Sequence, residues 1–170
     1  GVKADLPVLP LPSGVHIAFF NLHGNQTLTE HCGKEIAKRI APCKPDIIIT
    51  AESKGLQLAH VTARELGQAF YAVARKTKKL YMQDGIEVAV QSITTGEVQK
   101  LYLSAHDAAL LKNKRVAIVD DVISTGGSLS GLESLVQEAG GQIVVKATVL
   151  AEGAAADRKD IEYLAKIPLL

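Results

Sequence analysis

Aliphatic positions recur along this chain with two different periods. In "QTLTEHCGKEIAKRI", residues 26–40, Leu28, Cys32, Ile36, Ala37 and Ile40 share one helical face, and a threonine is the expected cap. "PDIIIT", 45–50, is a short β-branched run after a proline and predicts a buried central strand. "LQLAHVTARELG", 56–67, predicts a helix stopped by Gly67, and "AFYAVA", 69–74, the next strand. A strand, a helix and a strand joined by short loops are the pattern of a parallel α/β sheet.

The second half repeats that grammar. "IEVAVQSI" and "VQKLYLS" flank "TTGE" and predict two antiparallel strands joined by a turn. "HDAALLKNK", 106–114, reads as a short helix or turn, and "RVAIVDD" as another buried strand. "SLSGLESLVQEAGG", 128–141, predicts a helix with Leu129, Leu132, Leu135 and Val136 as its buried stripe and Gly140 or Gly141 as its stop. "QIVVKATVLAE", 142–152, is the last clear strand, and "ADRKDIEYLAKIPLL" reads as a helix and an edge strand. At the start, "VHIAFF", 15–20, predicts a strand after a proline-rich extended arm, with "NLHGN" as the turn that follows.

Composition narrows the class. A chain of 170 residues suits one domain with a full core. The net charge of +1 gives no global field to attract nucleic acid, and no apolar run is long enough to span a membrane. The opening residues are too proline-rich and too short in apolar run for a signal peptide. Cys32 and Cys43 lack metal-ligand spacing and read as buried or half-buried thiols, which fits a reducing, cytoplasmic setting. His16, His23, His31 and His106 have no acid or cysteine partner at ligand spacing and read as structural or surface residues.

The chemistry concentrates in "VAIVDDVISTGGSLSGL", 116–132. A buried strand here delivers Asp120 and Asp121 to the carboxyl edge of the sheet, where parallel α/β folds bind ligands. Their side chains alternate, so each can accept hydrogen bonds from vicinal hydroxyls, hold a magnesium ion, or both. Behind them Ser124, Thr125 and Ser128 offer hydroxyls, and Gly126 and Gly127 let backbone N–H groups converge. The next helix adds its N-terminal N–H groups. The pattern asks for a diol and a phosphate a few ångströms apart, the shape of a ribose 5-phosphate. Dinucleotide and nucleotide-hydrolase loops, which need G-x-G-x-x-G or a lysine before Ser or Thr, are absent.

This segment resembles the signature of the type I phosphoribosyltransferases, which bind 5-phosphoribosyl 1-diphosphate. The resemblance implies that Asp120 and Asp121 hold the ribose hydroxyls and Ser124–Ser128 the 5-phosphate. "TAESKGLQLA", 50–59, resembles the diphosphate loop of the adenine branch, giving Ser53, Lys54 and Gly55 that role. In relatives this loop often carries a cis peptide before a residue other than proline. "YAVARKTKKLY", 71–81, resembles the segment in which backbone near Val73 and Ala74 reads the base, while Arg75, Lys76 and Lys79 meet the diphosphate, partly across a dimer interface. Arg75 and Lys79 join the two aspartates as the implied catalytic set. Phe19 and Phe20 are the residues implied to stack on the base.

The family fold is a central, mostly parallel sheet flanked by helices. A hood over the base corresponds to residues 1–25, the core to 26–170, and a flexible antiparallel region closes over the site. The family also implies magnesium held mainly through substrate, with no dedicated protein cage, and a homodimer. The implied activity is purine salvage, with adenine and 5-phosphoribosyl 1-diphosphate giving AMP and diphosphate. Two features depart from the adenine branch: Gln91 stands about where a glutamate is usual, and the threonine-rich turn after it looks more like the xanthine branch. The lysine that follows "VLAE" in xanthine enzymes is replaced by Gly153. Alternatives are therefore a xanthine or hypoxanthine/guanine enzyme, or a regulator that senses the diphosphate sugar without turnover. The residues ahead of the first helix are too few for a winged helix. Glu52 and Glu87 are candidate general acids by chain position.

Overall fold

The computed structural model describes residues 2–91 and 98–170, with Gln91 described by its backbone alone. The threonine-rich turn, Glu97 and the Gln91 side chain lie outside the described residues. The order of elements is β1 (Val8–Pro10), β2 (His16–Ala18), α1 (Gln26–Ile40), β3 (Ile47–Ala51), α2 (Leu56–Glu65) and β4 (Tyr71–Ala74). There follow β5 (Ile86–Gln91), β6 (Val98–Leu103), α3 (Ala105–Leu111), β7 (Arg115–Ile123), α4 (Gly127–Glu138), β8 (Gln142–Glu152) and β9 (Glu162–Ile167).

Five strands form one parallel sheet in the order β4-β3-β7-β8-β9. All five residues of β3 are buried, as are Val116 to Asp121 of β7, so the two central strands read as unbroken apolar runs rather than alternating ones. One face packs against α1, α2 and the N-terminal arm through Phe20, Leu22, Ile36, Ile48, Leu58 and Val119. The other packs against α4, α3 and the hairpin β5–β6 through Ile49, Leu103, Leu111, Ile118, Leu132 and Leu135. The two cores use alternate residues of the same strands, which is how period-two side chains serve two layers.

The order of strands reverses at one place. From β3 the chain moves outward through α2 to β4, and from β7 it moves the opposite way through α4 to β8. The crevice at the carboxyl ends of β3 and β7 is therefore the switch point at which open α/β sheets bind ligands. The hairpin β5–β6 stands off this sheet and is tied to it where Arg75 and Tyr102 exchange two backbone hydrogen bonds of 2.8 Å. β1 and β2 form a separate antiparallel ribbon in the arm.

Several sequence expectations change in detail. α1 spans residues 26–40 as read, but its cap is Asn25, whose side chain accepts from the Leu28 N–H at 3.1 Å; no threonine serves. β7 runs two residues past Asp121, to Ile123. The stretch after β8 holds a 3₁₀ turn at Gly153–Asp157 in place of an α-helix, then β9 as a parallel edge strand. Cys32 and Cys43 are free, Cys32 is buried, and burial pushes its thiol up to about 11.

Helices α1 and α2 approach closely at Gly33. A Cβ there would stand 2.6 Å from the Val61 Cβ and 3.4 Å from the Thr62 backbone nitrogen. The Gly33→Val variant is expected to lose about 2 kcal/mol of stability, read as a lower urea midpoint, because overpacking at a helix crossing forces backbone to move.

Candidate active site

The switch-point crevice is built by three loops. After β3, Glu52–Lys54 turns into α2 with a cis peptide between Glu52 and Ser53. Glu52 fastens this loop to the next strand: its N–H donates to the Ala74 carbonyl at 2.9 Å, and its carboxylate lies 2.6 Å from Arg75 Nε. The same carboxylate accepts from the Lys76 N–H at 2.8 Å. Gly55 then allows contact with the neighbouring strand. A Cβ on it would collide with Thr50 Oγ1 and stand 3.2 Å from Asp120 Oδ1. The loop and the first aspartate are thus locked together, and only glycine fits between them.

Asp120 and Asp121 are 9% and 6% exposed. Asp120 Oδ1 accepts from the Asp121 N–H at 2.9 Å, while Asp121 Oδ2 is buried with no hydrogen-bond partner among the described residues. Burial and then the neighbouring Asp121 charge push the Asp120 carboxyl well above the usual carboxylate range. Burial also raises Asp121, opposed chiefly by the Lys54 charge. Two hard, desolvated carboxylates with an orphaned oxygen suit a ligand bringing hydroxyl donors or a magnesium ion. Among the described residues no group of three His, Cys, Asp or Glu forms a metal cage, so such an ion would take most of its ligands from substrate and water.

Two clefts meet at these acids. One, of about 220 Å³, is lined by Glu52, Ser53, Lys54, Lys76, Asp121 and Ser128 among others. The second, of about 130 Å³, is lined by Asp120 and by Val122 through Leu129, which includes every residue of the Ser124–Ser128 loop. Gly126 sits at φ +85° and caps α4, which places the loop at the positive end of the helix dipole. A third hollow of about 290 Å³ continues from Ser128 and Lys76 to Val90, Gln99, Lys100 and Leu101 of the hairpin.

The structure brings Ser53, Lys54, Gly55, Lys76, Asp120, Asp121 and Ser124–Ser128 into one connected track. It places the remaining sequence candidates differently. Arg75 is paired with Glu52, so it braces the loop. Lys79 lines neither cleft, and its N–H contacts Met82 Sδ at 3.5 Å. Phe20 is 4% exposed and its ring belongs to the core; its carbonyl accepts from Lys54 Nζ at 3.4 Å, while Phe19 lies 4.6 Å under the same ammonium. Ala74 is fully buried and spends its carbonyl on Glu52. Glu87 pairs with Lys100 at 2.5 Å on the exposed hairpin. Sequence reading missed Thr50, whose buried hydroxyl lies under Gly55 with no hydrogen-bond partner among the described residues. The one available signal was a polar residue closing an otherwise aliphatic strand.

A parallel sheet with two acids at its switch point and a glycine-rich loop behind them defines an α/β fold with its crevice at the carboxyl ends of β3 and β7. The phosphoribosyl transferase domain profile matches residues 21–167, and the chain belongs to that family. It is 36% identical over 127 residues to a xanthine phosphoribosyltransferase of Exiguobacterium sp., covering 74% of this chain and 64% of that protein. It is 39% identical over 127 residues to one from Bacillus cereus strain G9842, covering 74% and 63%. The matched region thus spans somewhat less than two thirds of these relatives. The fold is shared with adenine phosphoribosyltransferase from Thermoanaerobacter pseudethanolicus, at TM-score 0.78, 22% identity and 96% of each chain. It is shared too with the enzyme of Giardia lamblia complexed with 9-deazaadenine, at TM-score 0.79, 18% identity and 95% and 93% of the two chains.

The raised Asp120 carboxyl has a measurable consequence. The folded state holds this proton more tightly than the unfolded chain, so the pair's contribution to stability falls as pH rises above the normal carboxylate range. Asp120→Asn keeps the acceptor for the Asp121 N–H and removes the buried charge. In ligand-free protein at pH 8 it is expected to raise stability by about 1 kcal/mol, or ~2–4 °C in melting temperature. That advantage should shrink as pH falls and vanish below about pH 3, where both states of the wild type are protonated.

Proposed function

We propose that the protein transfers the 5-phosphoribosyl group of 5-phosphoribosyl 1-diphosphate to a ring nitrogen of a purine. The observation that carries this reading is the continuity of the track. Lys54 and Lys76 line one cleft with the two aspartates, the Ser124–Ser128 loop lines the other, and Asp120 and Ser128 line both. The two clefts would take the diphosphate and the 5-phosphate, with the ribose diol at the acids. Asp120 and Asp121 would orient the sugar through its 2- and 3-hydroxyls, and the loop would anchor the phosphate. Carboxylate oxygens at this point also suit a magnesium ion riding on the substrate, which would supply charge neutralisation to the diphosphate.

The bond from C1 to the diphosphate oxygen breaks as the purine nitrogen forms its bond to C1, and the purine proton passes to diphosphate or solvent. No protein nucleophile is required. The chain's own work is positioning and screening of charge. Lys76, which lines two of the hollows, would meet the departing diphosphate. Lys54 would be shared between diphosphate and the Phe19 ring, linking the leaving-group loop to the arm. Glu52 is spent on Arg75 and Lys76, so it shapes the loop and does not serve as a proton donor. The hairpin β5–β6 faces the same track and would limit water. A homodimer and a cytoplasmic location complete the reading, the latter supported by the two free cysteines.

Adenine is the base we favour. Gly153 follows β8 at φ +57°, and a Cβ there would stand 2.8 Å from Leu169 Cδ1. Gly153 offers no side-chain donor to a 2-oxo group, and a longer side chain there would have to displace Leu169. Xanthine is the second reading, supported by the names of the relatives at 36% and 39% identity.

Diphosphate release should be followed with 5-phosphoribosyl 1-diphosphate, magnesium and adenine, hypoxanthine, guanine or xanthine in separate reactions. Turnover with adenine, lost on chelating magnesium, is the expected outcome. Preference for xanthine would transfer the assignment to the second reading. Binding of the diphosphate sugar with no turnover on any base would leave a sensor.

A further inference from the structure

The Ser124–Ser128 loop has a deficit of charge. Its five residues are serine, threonine and glycine, so N–H groups and hydroxyls are all it offers to a phosphate dianion. A cation from a distant part of the chain lies against it. A Cβ built on Gly126 would stand 3.0 Å from Arg158 Nη1, which puts one edge of that guanidinium beside the apex of the loop.

Arg158 is held there by a polar cluster that takes no part in the track described above. Its Nε and Nη2 donate to Asp160 Oδ1 and Oδ2 at 2.9 and 2.7 Å, a two-point pairing that fixes the guanidinium plane. Asp160 also accepts from Lys146 Nζ at 2.5 Å, and Lys146 pairs at 2.6 Å with Glu133 on α4, the helix that the loop caps. Arg158 and Lys146 together hold the Asp160 carboxyl far below the usual range, so the anchor stays charged. Nη1 donates to no acceptor among the described hydrogen bonds, and a third of the Arg158 side chain remains exposed. Two of the three nitrogens are thus spent on orientation, and the third is left facing the loop.

We propose that Arg158 is a phosphate-binding residue, its Nη1 donating to an oxygen of a phosphate monoester seated in the Ser124–Ser128 loop, with Asp160 and Lys146 as positioning residues. The proposal rests on the reading of that loop as the 5-phosphate site. It adds a full positive charge at the apex of a loop that carries none of its own. It also explains a charged cluster in the crossover between β8 and β9, where burial of apolar side chains alone would serve the fold.

The test measures Kd for ribose 5-phosphate and, separately, for diphosphate, on the full chain with and without substitutions. Arg158→Gln is expected to weaken ribose 5-phosphate about tenfold, the worth of one charge-assisted hydrogen bond, and to leave diphosphate unchanged. Asp160→Asn should weaken it by a smaller factor in the same selective way. Wild-type affinity should improve from pH 5 to 7 as the monoester takes its second charge, and Arg158→Gln should flatten that rise. Should the glutamine variant fail to fold, Arg158→Lys carries the same comparison, with an expected loss of about threefold because the fork is gone. Thr125→Val controls the loop itself. If it weakens ribose 5-phosphate while the Arg158 variants do not, the assignment of Arg158 is overturned and the loop reading stands. If wild type and Thr125→Val bind it equally, or neither binds it, the loop reading falls and the proposal with it. Equal weakening of both ligands by Arg158→Gln would mark a structural residue and overturn the proposal as well.

Discussion

Two adjacent carboxylates buried at the carboxyl edge of a central strand are the constraint around which this protein is arranged. A pair of acids so placed costs free energy in the absence of partners. The surroundings reduce that cost in several ways. Asp121 donates its N–H to its neighbour, Lys54 lends charge from the next loop, and Gly55 brings the start of α2 against Asp120. Asp121 Oδ2 stays buried with no hydrogen-bond partner among the described residues, in a side chain that lines the crevice.

The loop chemistry follows from that placement. Because the sheet order reverses between β3 and β7, the diphosphate-like loop and the glycine-rich loop must both open onto the same crevice. Glu52 then acts as a staple, fixing Arg75 and Lys76 with one carboxylate, so Lys76 is oriented through its backbone while its side chain stays available. The N-terminal arm meets this loop at Lys54, which touches the Phe20 carbonyl and the Phe19 ring. Lys54 thereby ties the loop after β3 to the arm.

Local pattern carried much of this. The stripe Leu28, Cys32, Ile36, Ala37 and Ile40 marked α1 because a 3.6-residue period is written in one short window. The same holds for Leu129, Leu132, Leu135 and Val136 in α4. The aspartate pair and the Ser124–Ser128 loop were readable because each is contiguous and its residue types state their chemistry. Details that depend on neighbours were not readable in this way. Asn25 beats the nearby threonines as a cap because the backbone turns at it, and the segment after Glu152 folds as a 3₁₀ turn because Ala155 and Ile161 must reach the core beside α4.

The sequence alone was enough for the alternation of strands and helices, the parallel sheet and the position of the glycine-rich loop, since each depends on residues within a few positions of one another. Only tertiary structure could decide that Arg75 faces Glu52, that Phe20 is core, that Gly55 lies against Asp120 and that Arg158 reaches Gly126. These are contacts between segments up to dozens of residues apart. They are set by strand order and by crossover path, and no local period encodes either one.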